Sequence, residues 1–222
     1  TNLSMISIQK KFLFIHVPKT AGNSIQNILW NYSEDEIVTP AQHQDGVERF
    51  DVRNEKYNSR KHSTLSYYKS VLDADTYRTL FKFATIRNPW DLMVSYYFSP
   101  HRGITEWDRN DFVSLVNNMS TLREFICEKS FLDKCLTKLS IPRNIGNRQI
   151  NRDVDFLMRF ERLNDDFRLV CEKLDIPYSP LPIRNKSNRT HYSKYYDDEL
   201  RDIVYQKFIE EIKFANYSFE ND

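Results

Sequence analysis

A lysine set among small residues, between an apolar run and an amphipathic stretch, is suited to holding a phosphate. In this chain the segment is Pro18-Lys19-Thr20-Ala21-Gly22-Asn23-Ser24. Backbone N–H groups at a helix start carry partial positive charge, and Lys19 adds a full one. A second candidate follows another apolar run, in Arg87-Asn88-Pro89-Trp90-Asp91, with Ser95 two helical turns further on. The planar guanidinium of Arg87 matches a phosphate monoester, although Asp91, four positions on, is an alternative partner across a helix start. His62, just ahead of Ser63-Thr64, is of the residue type of a general base, and equally that of a plain surface histidine. Arg184, Lys186 and Arg189 form a basic loop, which either faces an anion or is merely solvated.

These residues need elements to hold them. Phe12-Leu13-Phe14-Ile15-His16-Val17 is a short apolar run without polar alternation, as expected of a strand buried on both faces. Pro18 stops it, and Ile25, Ile28, Leu29 and Tyr32 then fall at helical spacing. His16 inside the strand reads as a hydrogen-bonded core histidine. Leu80 to Ile86 is a second strand. Asn88-Pro89 reads as cap and first residue of a helix through Tyr97. Ser63 or Thr64 caps a helix through Leu72, and Ser120 or Thr121 caps one containing Leu122, Phe125 and Ile126.

Val154 to Phe160 is a third strand. Asn164 caps a helix with Phe167, Val170, Cys171 and Leu174 on one face, and a last helix runs from about Asp197 to Phe214. Residues 34–61 read as a polar surface excursion and 104–118 as irregular. Strands alternating with helices predict a three-layer α/β/α fold around a central parallel sheet. Ligands in such sheets bind beyond the carboxyl ends of the strands, where Lys19 and Arg87 both lie.

Composition narrows the field. At 222 residues the chain is expected to be a single domain, burying roughly 70% of its unfolded surface. Hydrophobic residues make up 40% and charged ones 28%, with a formal charge of +1. That balance argues against a nucleic-acid binder that works through a general basic field. Cys127, Cys135 and Cys171 are odd in number and have no metal-binding spacing, and no Asp/Glu/His cluster has ligand spacing. No apolar run approaches a membrane span and no signal-peptide pattern is present; the expectation is a cytoplasmic protein if the chain is bacterial, or a Golgi-lumenal one if an N-terminal anchor was removed.

The lysine precedes the only glycine of its loop, so this is not the Gly-x-x-x-x-Gly-Lys-[Ser/Thr] loop of P-loop kinases. Pro18-Lys19-Thr20-Ala21-Gly22-Asn23-Ser24-Ile25 instead resembles the 5′-phosphosulfate loop of sulfotransferases that use 3′-phosphoadenylyl sulfate (PAPS). Phe83 to Tyr97, with Arg87 and Ser95, resembles the 3′-phosphate motif of that family, and the two occur in the family's order. His62-Ser63-Thr64, Asp155 to Leu163 and Leu181 to Ser187 resemble later landmarks of one branch. That branch holds carbohydrate O-sulfotransferases related to the heparan 2-O-sulfating enzymes, with short bacterial relatives. Asn23 stands where the branch usually has threonine.

The resemblance implies a PAPS-dependent sulfotransferase that releases PAP and needs no metal. It makes Lys19 the residue that neutralises the leaving phosphate, and His62 the base. Lys19, Thr20, Ala21, Gly22, Asn23 and Ser24 would hold the 5′-phosphate. Arg87 and Ser95 would hold the 3′-phosphate, and Lys186 and Arg189, on a loop closing over the nucleotide, would be further phosphate partners. The implied acceptor is a glycan or another hydroxyl-bearing molecule, facing residues 34–61, 99–118 and 134–152. A small P-loop phosphotransferase, or a non-catalytic anion- or glycan-binding module on the same fold, is the rival reading.

Overall fold

Phe12, Leu13, Phe14 and Ile15 are all fully buried, and they form the strand around which the fold is arranged. The computed structural model describes residues 5–38, 51–128, 150–182 and 189–221. Its strands are β1 (Met5–Ser7), β2 (Phe12–Ile15), β3 (Glu36–Val38), β4 (Asp51–Arg53), β5 (Phe81–Ile86) and β6 (Phe156–Arg159). The described helices are α1 (Gly22–Leu29), α2 (Leu65–Val71), α3 (Ala74–Thr79), α4 (Pro89–Tyr97), α5 (Arg109–Asn118), α6 (Leu122–Ile126), α7 (Leu163–Leu174), α8 (Asp198–Lys207) and α9 (Ile209–Ala215).

The central sheet runs in the order β1-β2-β5-β6. β2, β5 and β6 are parallel, with Phe14 opposite Phe83 and Phe83 opposite Phe156, and β1 closes one edge antiparallel to β2. Alternate side chains of a strand point to opposite faces. Phe12 and Phe14 accordingly pack with Ile25 and Leu29 of α1 and Phe167 and Val170 of α7. Leu13 and Ile15 pack on the other face with Leu65 and Tyr68 of α2 and Leu122 and Ile126 of α6. A third cluster joins α4, α5 and α8 around Met93, Tyr97, Phe112 and Val204. The chain is thus a mixed α/β fold, with helices on both faces of a mostly parallel sheet.

Helix starts follow the capping residues closely. Thr64 accepts the Tyr67 N–H, Asn88 accepts that of Trp90 at 3.1 Å, and Thr121 forms a reciprocal capping box with Glu124. Asn164 is a correction. It lies inside α7, and its Oδ1 accepts the Leu181 N–H at 3.0 Å, tying the following extended segment to the helix.

Three further expectations change. Residues 109–118 form α5, capped by Asp108, rather than irregular chain. The last helix is two, divided at Phe208, which lets Leu200 and Val204 pack in the third cluster while Ala215 reaches the α2 and α6 face. The 34–61 segment is not wholly a polar surface excursion: β3 and β4 pair in it as an antiparallel ribbon with Val52 buried. No helix among the described residues is long and apolar enough to cross a membrane.

Candidate active site

The loop after β2 is shaped by its backbone. Lys19 and Ala21 both have left-handed conformations, at φ 63° and 65°, with Thr20 between them outside that region. Such residues cost about 1–2 kcal/mol each, so the surroundings must hold them. Two side chains do so. The buried Thr20 donates Oγ1–H to the Val17 carbonyl at 2.7 Å, and Arg87 donates Nη1–H to the Lys19 carbonyl at 2.7 Å. Left-handed residues in succession with others are the backbone pattern from which anion-binding nests are built. α1 then starts at Gly22 with no side-chain cap and no acidic residue in its first turn, leaving the positive end of its dipole to a ligand. Asn23 lies half-buried in that turn and Ser24 is buried.

Gly22 is required for space rather than for a special φ. A Cβ there would lie 1.9 Å from Cδ2 and 2.0 Å from Nε2 of His16. His16 is buried, as expected of a core histidine, and burial holds its ring neutral, with a pKa well below the usual value. The Gln26 side chain opposes that shift, while Nδ1 is buried without a partner among the described residues.

Arg87 sits at the end of β5, and it joins the two halves of the site. Nε and Nη2 pair with Asp91 Oδ2 at 2.8 and 2.6 Å, and Nη1 also reaches Ser95 Oγ at 3.2 Å. The guanidinium lies 3.9 Å over the Phe160 ring. The Asp91 pairing weighed against a phosphate role is therefore real, and it coexists with the contacts to Lys19 and Ser95. Asp91 also accepts from Arg189 Nη2 through its other oxygen. Burial alone would raise the Asp91 pKa, but the two arginines hold it below the ordinary carboxylate range.

Lys19 Nζ lies 3.4 Å from Ser99 Oγ. Burial, followed by the charges of Arg87 and Arg189, lowers its pKa to about 8. Arg87 and Arg189 thus share the Asp91 carboxylate, and Lys19 lies in the field of both arginines. Glu161, whose charge also acts on Arg87, accepts from the Asn88 N–H at 2.7 Å and the Tyr217 hydroxyl at 2.9 Å.

His62 reaches the same strand end by another route. Its Nδ1 lies 2.7 Å from the His16 carbonyl, and the two rings meet edge-on with centroids 4.5 Å apart. Burial pushes the His62 pKa down to about 4, well short of the unperturbed value near neutrality expected from residue type. The structure brings Lys19, Arg87, Ser95 and Arg189 into one contact network and links His62 to the loop through His16 and Gly22. Lys186 lies outside the described residues. Asp91 as a bridge, Ser99 and Phe160 are additions that sequence reasoning did not place in the site.

A sequence profile of the Sulfotransferase family matches residues 3–218. The chain belongs to the sulfotransferase family. No curated protein and no solved structure gave a match. For a sulfotransferase the arrangement makes chemical sense: sulfuryl transfer leaves negative charge on the departing group, and an uncapped helix start with an adjacent lysine is where such charge is stabilised.

Proposed function

We propose that this sulfotransferase takes its sulfuryl group from PAPS and delivers it to a hydroxyl of a carbohydrate, leaving PAP. The observation that carries the reading is the 2.7 Å hydrogen bond from Arg87 Nη1 to the Lys19 carbonyl, which makes one site of two anion-binding segments. A donor with phosphate groups at both ends of its ribose fits such a site, and the neighbouring cations Lys19, Arg87 and Arg189 fit its charge. In this reading Lys19, Thr20, the N–H groups of Ala21, Gly22 and Asn23, and the Ser24 hydroxyl take the 5′ end, the Ser24 N–H being held by the Ala21 carbonyl at 3.0 Å. Arg87, Ser95 and Arg189 take the 3′-phosphate.

The acceptor oxygen forms its bond to sulfur as the bond from sulfur to the 5′-phosphate oxygen breaks, and that oxygen keeps the electron pair. The Lys19 ammonium neutralises it. The acceptor's proton passes to His62 Nε2. A carbonyl can only accept, so Nδ1 carries the hydrogen shared with His16 and Nε2 holds the lone pair. Holding the partners in line supplies much of the rate. The carbohydrate acceptor is supported by the likeness of the segments around His62, Asp155 to Leu163 and Leu181 to Ser187 to carbohydrate O-sulfotransferases.

Incubation with radiolabelled PAPS and a panel of glycans, lipids and phenols tests the reading. Label should enter the glycans. Label on phenols or lipids alone would replace the acceptor, and no transfer to any class would refute the proposed reaction. In titration calorimetry PAP should bind at least about tenfold more tightly than ADP, a ~1.4 kcal/mol preference.

A further inference from the structure

Asp91 is out of place in an anion site, since its charge opposes the ligand. Both of its oxygens are nonetheless committed there. Oδ2 accepts from Arg87 Nε and Nη2, and Oδ1 accepts from Arg189 Nη2, on a segment 98 positions away. Arg87 is further held through Nη1 by the Lys19 carbonyl and Ser95 Oγ. A guanidinium has five N–H donors, so these contacts leave Arg87 one, on Nη2. One N–H cannot make the forked, two-point contact that gives arginine its selectivity for phosphate. A second guanidinium has to complete the grip, and Arg189 is the one that Asp91 draws to the same place.

We infer that Asp91 is a positioning and specificity-determining residue, which pairs Arg87 with Arg189 so that two guanidinium groups together meet one phosphate, and whose own charge turns away anions that cannot reach both. The inference rests on the PAPS reading, with the 3′-phosphate as that anion. Removing the carboxylate then has two opposite effects. ADP, which lacks that phosphate, gains from the lost repulsion, while PAP loses the paired grip on its 3′-phosphate. Selectivity falls even where affinity does not.

The experiment is calorimetric titration of wild type, Asp91→Asn and Asp91→Glu with PAP and ADP, with thermal unfolding of each protein. In Asp91→Asn the preference for PAP over ADP should fall at least about tenfold, while ADP binds as tightly as before or more tightly. Asp91→Glu keeps the charge one methylene further out, so it should recover only part of the preference. An unchanged preference in Asp91→Asn overturns the inference. So does an equal loss of PAP and ADP accompanied by a lower melting point, which would leave Asp91 a support of the α4 start. If Asp91→Asn does not fold, a wild-type preference in Asp91→Glu overturns it equally. A wild type that binds PAP and ADP alike is a different failure, because it removes the nucleotide reading itself.

Discussion

A single contact decides the chemistry open to His62. With Nδ1 donating to the His16 carbonyl, the ring presents Nε2 as its acceptor, and burial keeps it neutral down to about pH 4. A neutral imidazole is the form a general base needs, although a lower pKa also makes it a weaker base. Two outcomes follow for His62→Ala. Turnover should drop by ~10²–10⁴-fold, while PAP affinity stays within about a factor of three. In wild type the acid limb of kcat/KM should fall near pH 4, not near 6.5 where an unperturbed histidine would put it. Near-normal turnover in the variant would dismiss the base, and a parallel loss of PAP binding would make His62 a support of the loop. Lys19 and Arg87 could be picked out by their place directly after apolar runs, whereas residue type alone left His62 a surface histidine and only the likeness of His62-Ser63-Thr64 to the family singled it out. The bridging of Asp91 was not, since its second partner, Arg189, is remote in sequence and the local i, i+4 pairing with Arg87 is already a sufficient explanation.

At the scale of elements, the loop between β2 and α1 depends on two chain segments fitting face to face. Gly22 gives up its side chain so that the His16 ring can lie against its backbone. Gly22→Ala should therefore cost ~1–3 kcal/mol through overpacking, about 2–4 °C of melting temperature per kcal/mol in a chain of this size. If the His16 ring is the obstacle, His16→Ala should restore part of that loss when added to Gly22→Ala, and a double-mutant cycle measures the coupling. Additive losses would show the clash to be relieved elsewhere. Strands and helices that build this region were readable from apolar runs, Pro18, and the caps Thr64 and Asn88. What was missed had weaker signals. β1 is three residues long, too short to show alternation, and is held by its register with β2. α5 carries the Asp108 cap and buried Phe112 and Val116 at i, i+4, but its Asn and Asp residues dilute the pattern. The break at Phe208 is a matter of which cluster each half packs against, which no single helix face records.

Over the whole molecule, the outer layers are tied together by a buried acid. Glu211 of α9 accepts the Leu122 N–H, at the start of α6, through Oε1 at 2.8 Å. It is 4% exposed, and burial raises its pKa to about 7, with the Leu122 contact opposing the shift. A carboxyl whose folded pKa exceeds its unfolded one takes up protons on folding. Its contribution is present below about pH 4.5 and is lost as pH rises through about 7. The buried histidines act in the opposite sense: neutral in the fold, they lose stability as pH falls below the unfolded value of 6.5, down to about 4 for His62. The two trends oppose each other over the same pH range, so the wild-type curve alone would not reveal either. Glu211→Gln separates them, because its amide oxygen can still accept the Leu122 N–H while carrying no charge to bury. Relative to wild type the variant should gain on the order of 3 kcal/mol between pH 4.5 and pH 8, with little difference at the acid end. Urea unfolding at pH 5, 6, 7 and 8 measures it. A difference between the two proteins that does not change with pH would show that Glu211 does not titrate in this range, and that the link between α6 and α9 holds its charge throughout.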